Sequence, residues 1–328
     1  MLEPSVCIRP FNAATLSCAT AISVMVAPAR ASGYDYFPVT AGNRPIRYLL
    51  DSNTLGDQVG SVPNLLTGSL DGFLLSGTGD ETAFWSTPDK LTYPTAINDF
   101  RQVVGANIPL TGGLPEGFER DASGVETPFN FPGGLGTIPF GINNSGVYSG
   151  FYITPAGRRG FVSSPSVSLF RSVEFPGAAE TQLFGLNNMG QVGGAYYDQQ
   201  GSAFPFIYDI DSESFNLLAP PTPGNYVVTS LNDTGDAVIF GLRDVSENYT
   251  DLRSFVFDAT RGTTTELFYP GALETYGYDI RNDQSVIGYY RNPDDTYGGF
   301  LAAAAVPEPS SLAVLALVPG LFWLRRRD

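Results

Sequence analysis

The chain has 328 residues, enough for one large or two ordinary domains, with a formal charge of −15 and 16% charged residues. That acidic balance disfavours nucleic acid and anionic lipid as partners, and the absence of histidine removes Ser–His and Cys–His nucleophile pairs. Cys7 and Cys18, the only cysteines, both fall in a leader described next, so the mature chain is expected to have no thiol, disulfide or zinc–thiolate chemistry.

Residues 1–31 read as a secretory signal peptide. Arg9 supplies an early cation, Ala13 to Ala27 is mostly apolar or small, and Ala29-Arg30-Ala31 is a small-x-small site. Cleavage is expected after Ala31, with Ala29 and Ala31 as the signal-peptidase site. A buried N-terminal helix would fit the same length, but not the small-residue site and the lone early cation.

Residues 32–305 read as one repeat domain. With Gly150 as phase marker, equivalent positions are Gly60, Gly105, Gly150, Gly194, Ile239 and Gly288. Eight residues earlier stand Ser52, Ile97, Ile142, Leu186, Leu231 and Ile280, each followed by Asn53, Asn98, Asn143, Asn187, Asn232 or Arg281. Five residues before that apolar column come Arg47, Thr92, Thr137, Thr181, Tyr226 and Thr275. Each copy reads as four short strands: "TIPFGI", an Asn-Asn-Ser-Gly turn, "VYSGFY", then "GFV" from Gly160 and a fourth strand ending in phrases such as "EFPGA". The matching third strands are placed at Gly72, Gly117, Ala203, Ser254 and Gly299. A four-strand repeat of this length is the size of a β-propeller blade, and six copies predict an all-β, six-bladed propeller of four-stranded blades.

The ends of that domain complement each other. Gly33 to Val39 resembles a fourth strand with no strands before it, whereas the sixth copy stops after its third strand, "GFLAAAA". Tyr34 to Val39 is therefore expected to complete the sixth blade and close the ring, hiding its sheet edges.

These units resemble the HAF-type extracellular repeats, whose wording is close to "FPGA…T…GINNSGQVVGYY…GFL". The match runs from about Tyr34 to Leu301, without the eponymous histidine, and with Arg101 and Gln284 in place of the turn glycine. The resemblance implies an extracellular repeat protein and brings no catalytic residues.

Residues 306–328 combine Pro307-Glu308-Pro309, an apolar run from Leu312 to Leu324, and Arg325, Arg326 and Arg327. That run spans about 20 Å as a helix, short of a roughly 30 Å bilayer core, and Pro319 and Gly320 weaken it. The arrangement resembles the PEP-CTERM sorting signal of Gram-negative bacteria. The resemblance implies a short transmembrane segment, an exosortase-type membrane peptidase as partner, transient anchoring and export to the cell surface, often in producers of extracellular polysaccharide. Pro307, Glu308, Pro309 and the three arginines would be sorting-signal residues; an ordinary C-terminal anchor is the alternative, disfavoured because the three features occur in order at the extreme terminus.

No catalytic residue and no cofactor is expected. Asp99, Asp233 and Asp283 recur beside the hairpin phrase and read as turn residues. Asp209-Ile210-Asp211-Ser212-Glu213 has the spaced carboxylates a Ca²⁺ ion takes, set against a hairpin turn between third and fourth strands. Asn292 to Asp295 reads as a loop. Tyr196, Tyr197, Tyr289 and Tyr290 could stack on sugars, set against packing of one tyrosine in each pair and exposure of the other. The expected function is an exported, noncatalytic surface or matrix-associated protein that binds or organises extracellular polysaccharide. A secreted carbohydrate-active hydrolase or lyase, and an adhesin for envelope proteins, are the alternatives.

Overall fold

The computed structural model describes residues 29–305, apart from 32, 80–81, 165–168, 220 and 247–248. Residues 1–28 and the whole sorting-signal segment, Pro307 to Pro309 and Arg325 to Arg327 included, lie outside the described residues. Among the described residues there is no helix. The strands form six antiparallel sheets, and each sheet packs on the next around a ring that closes on itself. The protein is a six-bladed β-propeller of four-stranded blades.

Blades one to six begin with the inner strands Tyr48–Ser52, Lys90–Ile97, Gly136–Ile142, Glu180–Leu186, Gly224–Leu231 and Glu274–Ile280. The sixth sheet takes its outer strand from the other end of the domain. Tyr34–Val39 pairs antiparallel with Tyr297–Ala304, from Tyr34 opposite Ala304 to Val39 opposite Gly299, as the terminal complementarity predicts. Ala29–Ala31, the expected signal-peptidase site, adds a short fifth strand beyond it, with Ala29 opposite Tyr36 and Ala31 opposite Tyr34.

The marker glycine is explained by the residue opposite it. Gly60, Gly105, Gly150, Gly194 and Gly288 pair directly with Phe73, Phe118, Phe161, Phe206 and Phe300 of the third strand. A Cβ at Gly150 would lie 2.3 Å from the Ile138 carbonyl oxygen and 2.9 Å from the Phe161 ring, so only glycine leaves that ring its place. All five phenylalanines are fully buried. In blade four the in-register residue is Phe206, two residues beyond the expected Ala203-Phe204 match, because pairing with Gly194 sets the register.

The "FPG" and threonine positions fasten one blade to the next. Phe131, Phe175 and Tyr269, on the crossing segments, stack on Tyr152, Tyr196 and Tyr290 of the following blade at 3.7, 3.9 and 3.8 Å. Their backbone N–H groups donate to the Oγ1 atoms of Thr137, Thr181 and Thr275 at 2.9, 2.9 and 2.8 Å. Each crossing chain is thus held by one stacked ring and one buried hydroxyl.

The buried apolar residues fall into six clusters, one between each pair of adjacent blades. Leu49 and Phe73 of blade one meet Ile287 of blade six, for example. A single blade has no core of its own, so stability is shared around the ring. Every inner strand also carries a β-bulge near its end, as between Leu49 and Asp51 or Gly277 and Asp279, which turns side chains toward the central channel.

Ring closure depends on Tyr36, which is 1% exposed, packs edge-on against Tyr269 and Phe300, and accepts the Phe268 N–H at 2.9 Å. Tyr36→Ala is expected to cost about 3–5 kcal/mol in urea-induced unfolding, as buried aromatic truncations do. Tyr36→Phe should cost about 1 kcal/mol, since it removes only the hydroxyl that satisfies Phe268.

Candidate functional site at the channel mouth

The six inner hairpins converge on one end of the channel and enclose a cavity of about 110 Å³ lined by every blade. That is room for a few waters or a single inserted side chain, well below the roughly 300 Å³ at which small-molecule sites begin.

Asparagines dominate this rim for a reason that turn chemistry alone does not supply. Oδ1 of Asn143 accepts the Ser145 and Val147 N–H groups at 3.0 Å each, closing its own turn. Its Nδ2 donates to the Asn187 carbonyl of the next blade at 3.3 Å. The same bond runs from Asn53 to Asn98, Asn98 to Asn143, Asn187 to Asn232 and Asn232 to Arg281, at 3.1, 3.2, 2.9 and 3.1 Å. Arg281 closes the circle, its Nε donating to Ser52 Oγ at 2.8 Å.

The next residues form a second belt. The N–H groups of Thr54, Asp99, Asn144, Asn188 and Asp233 donate to Oδ1 of Asp99, Asn144, Asn188, Asp233 and Asn282, all at 2.8–2.9 Å. Asp99 and Asp233 are therefore inter-blade acceptors as well as turn residues. Asp283 does close its own turn, accepting the Ser285 N–H and hydroxyl. Burial would push Asp233 up, but donation from Asn282 and Asn188 outweighs it and holds the carboxyl below the usual range.

Where the turn glycine is missing, the side chain does other work. Arg101 and Gln284 take positive φ angles of 58° and 64°. Each reaches back to the acid of the preceding blade. Arg101 makes a two-pronged pair with Asp57 at 2.8 and 2.9 Å, and Gln284 donates to Asp236 at 3.0 Å. Burial alone would raise Asp57; the bonds from Arg101, the Gly77 N–H and Asn53 hold it low.

The structure also brings together two acids that lie far apart in the sequence. Asp51 and Asp279 stand on the inner strands of blades one and six, neighbours only because the ring closes. Asp279 accepts hydroxyls from Ser52 at 2.9 Å and Ser230 at 2.7 Å, and Asp51 accepts the Ile97 N–H at 2.6 Å. Burial, then the charge of Asp279, pushes the Asp51 carboxyl well above the ordinary carboxylate range. The matching residues elsewhere are Ala96, Gly141, Gly185 and Ser230. Aligning the copies shows two acids in one column; the circular order makes them adjacent.

The other candidates resolve locally. Asp209 to Glu213 is a turn between the third and fourth strands of blade four. Asp209 Oδ1 accepts the Ser212 N–H and hydroxyl at 2.8 and 2.7 Å, which hold that carboxyl low, and Glu213 pairs with Arg171. Among the described residues no three His, Cys, Asp or Glu gather as a metal site. Asn292 to Asp295 is a turn, with Asp295 at φ 63°. None of Tyr196, Tyr197, Tyr289 and Tyr290 is exposed, which corrects the expectation of one outward ring per pair: the crossing segments cover Tyr196 and Tyr290, and Tyr289 packs on Tyr276 at 4.4 Å.

No protein-family model and no curated protein matches the sequence. Among solved structures, TolB from Acinetobacter baumannii is similar, with a TM-score of 0.53, 14% identity and coverage of 76% of this chain and 64% of that one. A putative TolB from Agrobacterium tumefaciens has a TM-score of 0.53, 10% identity and coverage of 78% and 90%. A puromycin hydrolase has a TM-score of 0.51, 10% identity and coverage of 83% and 45%. The chain spans about two thirds of the first and under half of the last. At such identities the likeness shows the propeller fold alone.

Two expectations follow. Arg101→Gly should destabilise by about 1–3 kcal/mol in chemical denaturation although glycine suits the turn, because it leaves Asp57 buried and unpaired; the part-exposed guanidinium keeps the cost below that of a fully buried pair. For Asp51, the folded value lies above the unfolded value, so the folded state holds a proton that the unfolded chain releases. That stabilisation is complete below about pH 4 and is lost as pH rises through the raised folded value. Asp51→Asn places a permanent donor beside Asp279. Thermal melts should find it more stable than the parent at pH 7, with the gap shrinking toward pH 4.

Proposed function

We propose that the chain is an exported, noncatalytic propeller that binds or organises extracellular polysaccharide at the surface of a Gram-negative cell. The observation that carries this reading is the channel-mouth rim, where amide and carboxylate oxygens are fixed by hydrogen bonds across five of the six blade boundaries. Fixed polar groups of both donor and acceptor type suit sugar hydroxyls, because little order is lost on binding. The two terminal addresses support export: a leader with its site at Ala29 and Ala31, and a sorting tail with Pro307, Glu308, Pro309 and Arg325 to Arg327. On this reading an exosortase-type peptidase processes the tail after transient anchoring in the inner membrane.

A second reading, a carbohydrate-active hydrolase, is favoured by Asp51 and Asp279, since glycoside hydrolysis uses paired carboxylates. Their hydrogen bonds to Ser52, Ser230 and the Ile97 N–H favour a structural role at the seam instead.

Purified mature protein is expected to bind the producer's own polysaccharide saturably in a sedimentation assay and to release no new reducing or unsaturated ends. Binding to no surface component would count against the matrix role. New ends that disappear in Asp279→Asn would establish the enzyme instead.

A further inference from the structure

The expected leader cleavage site and the strand that closes the ring belong to one hairpin. Ala29–Ala31 pairs antiparallel with the start of Tyr34–Val39, Ala31 lying opposite Tyr34. The chain therefore turns back within two residues of a cut after Ala31. Gly33 takes a φ of 79° in that reversal, and its carbonyl accepts the Ala305 N–H at 2.8 Å. Tyr34, the third residue beyond the cut, is 7% exposed and lies in the apolar cluster with Val238, Val256, Leu267 and Phe300, between blades five and six.

A peptidase acts on backbone that it can draw into its cleft, so a folded chain is cut at loosely held segments or through local opening. Fraying of the short strand Ala29–Ala31 alone does not provide that. Two residues reach about 7 Å at full extension, and the third is already fixed in the core. Presenting the bond therefore requires lifting Tyr34, and with it the start of the closing strand, off blade six. The same strand carries Tyr36, on which ring closure depends.

Topology then sets an order of events. Tyr34–Val39 is the first strand beyond the cut, and its partner Tyr297–Ala304 is the last strand among the described residues. In a chain exported from its N-terminus, the site stays open until the far end of the domain arrives. Pairing of segments so distant in sequence is slow. We propose that ring closure ends the period in which the leader can be removed: a chain cut after Ala31 goes on to close, and a chain that closes first keeps its leader. The proposal rests on the export reading above.

The full chain, unfolded in urea, can be diluted into detergent buffer with signal peptidase added either at once or after refolding is complete. Early addition is expected to yield a chain beginning at Ser32, and late addition to cut at least about tenfold more slowly. Inserting about six Gly and Ser residues between Ser32 and Gly33 allows the site to stand about 20 Å from the sheet at full extension. That variant should be cut as fast late as early, with an unchanged melting temperature. Equal rates for the parent in the two arms, or a linker variant as resistant as the parent, would overturn the proposal and leave the site standing. No cutting after Ala31 in either arm would overturn the site and the proposal together.

Discussion

A primary amide carries one acceptor oxygen and two N–H donors, and in this protein the rim asparagines divide them between two tasks. The oxygen closes the residue's own hairpin. One donor often holds the residue four places on, as with Asn98 and Gln102 or Asn187 and Gln191, and the other reaches the neighbouring blade. Closing a turn and docking a blade thus use the same buried group. The coupling suits a ring without disulfides, where each sheet lacks a core of its own and an unpaired buried amide would be costly.

Packing repeats the same economy. A glycine in the second strand admits a phenylalanine from the third, and a crossing aromatic stacks on the tyrosine of the next blade beside a threonine hydroxyl. Departures come with compensation close by. Ile239 replaces the marker glycine in blade five and is itself fully buried in the cluster with Phe255. Arg101 and Gln284 accept a backbone conformation that disfavours side chains, and each satisfies a buried acid across a blade boundary.

Residues that stand apart from the repeat include Arg281, Asp279 and Asp51 at the seam, Arg101 in blade two and Ile239 in blade five. Blades three and four hold the more regular copies. Local rules are broken where the ring must be closed, so the seam departs furthest from the uniform channel.

The number of blades, their four strands and the closing role of Tyr34 to Val39 were legible in the amino-acid order. Each copy must satisfy the same local geometry, which forces glycine, asparagine and threonine to recur in phase, and a missing strand at one end is visible against a spare one at the other. Tertiary structure alone decided that the asparagines bind their neighbours, that Tyr196 and Tyr290 lie under crossing segments, and that Asp51 faces Asp279. Those facts depend on which blade stands beside which and how closely, and periodicity along a chain does not encode the distance between side chains that only ring closure brings together.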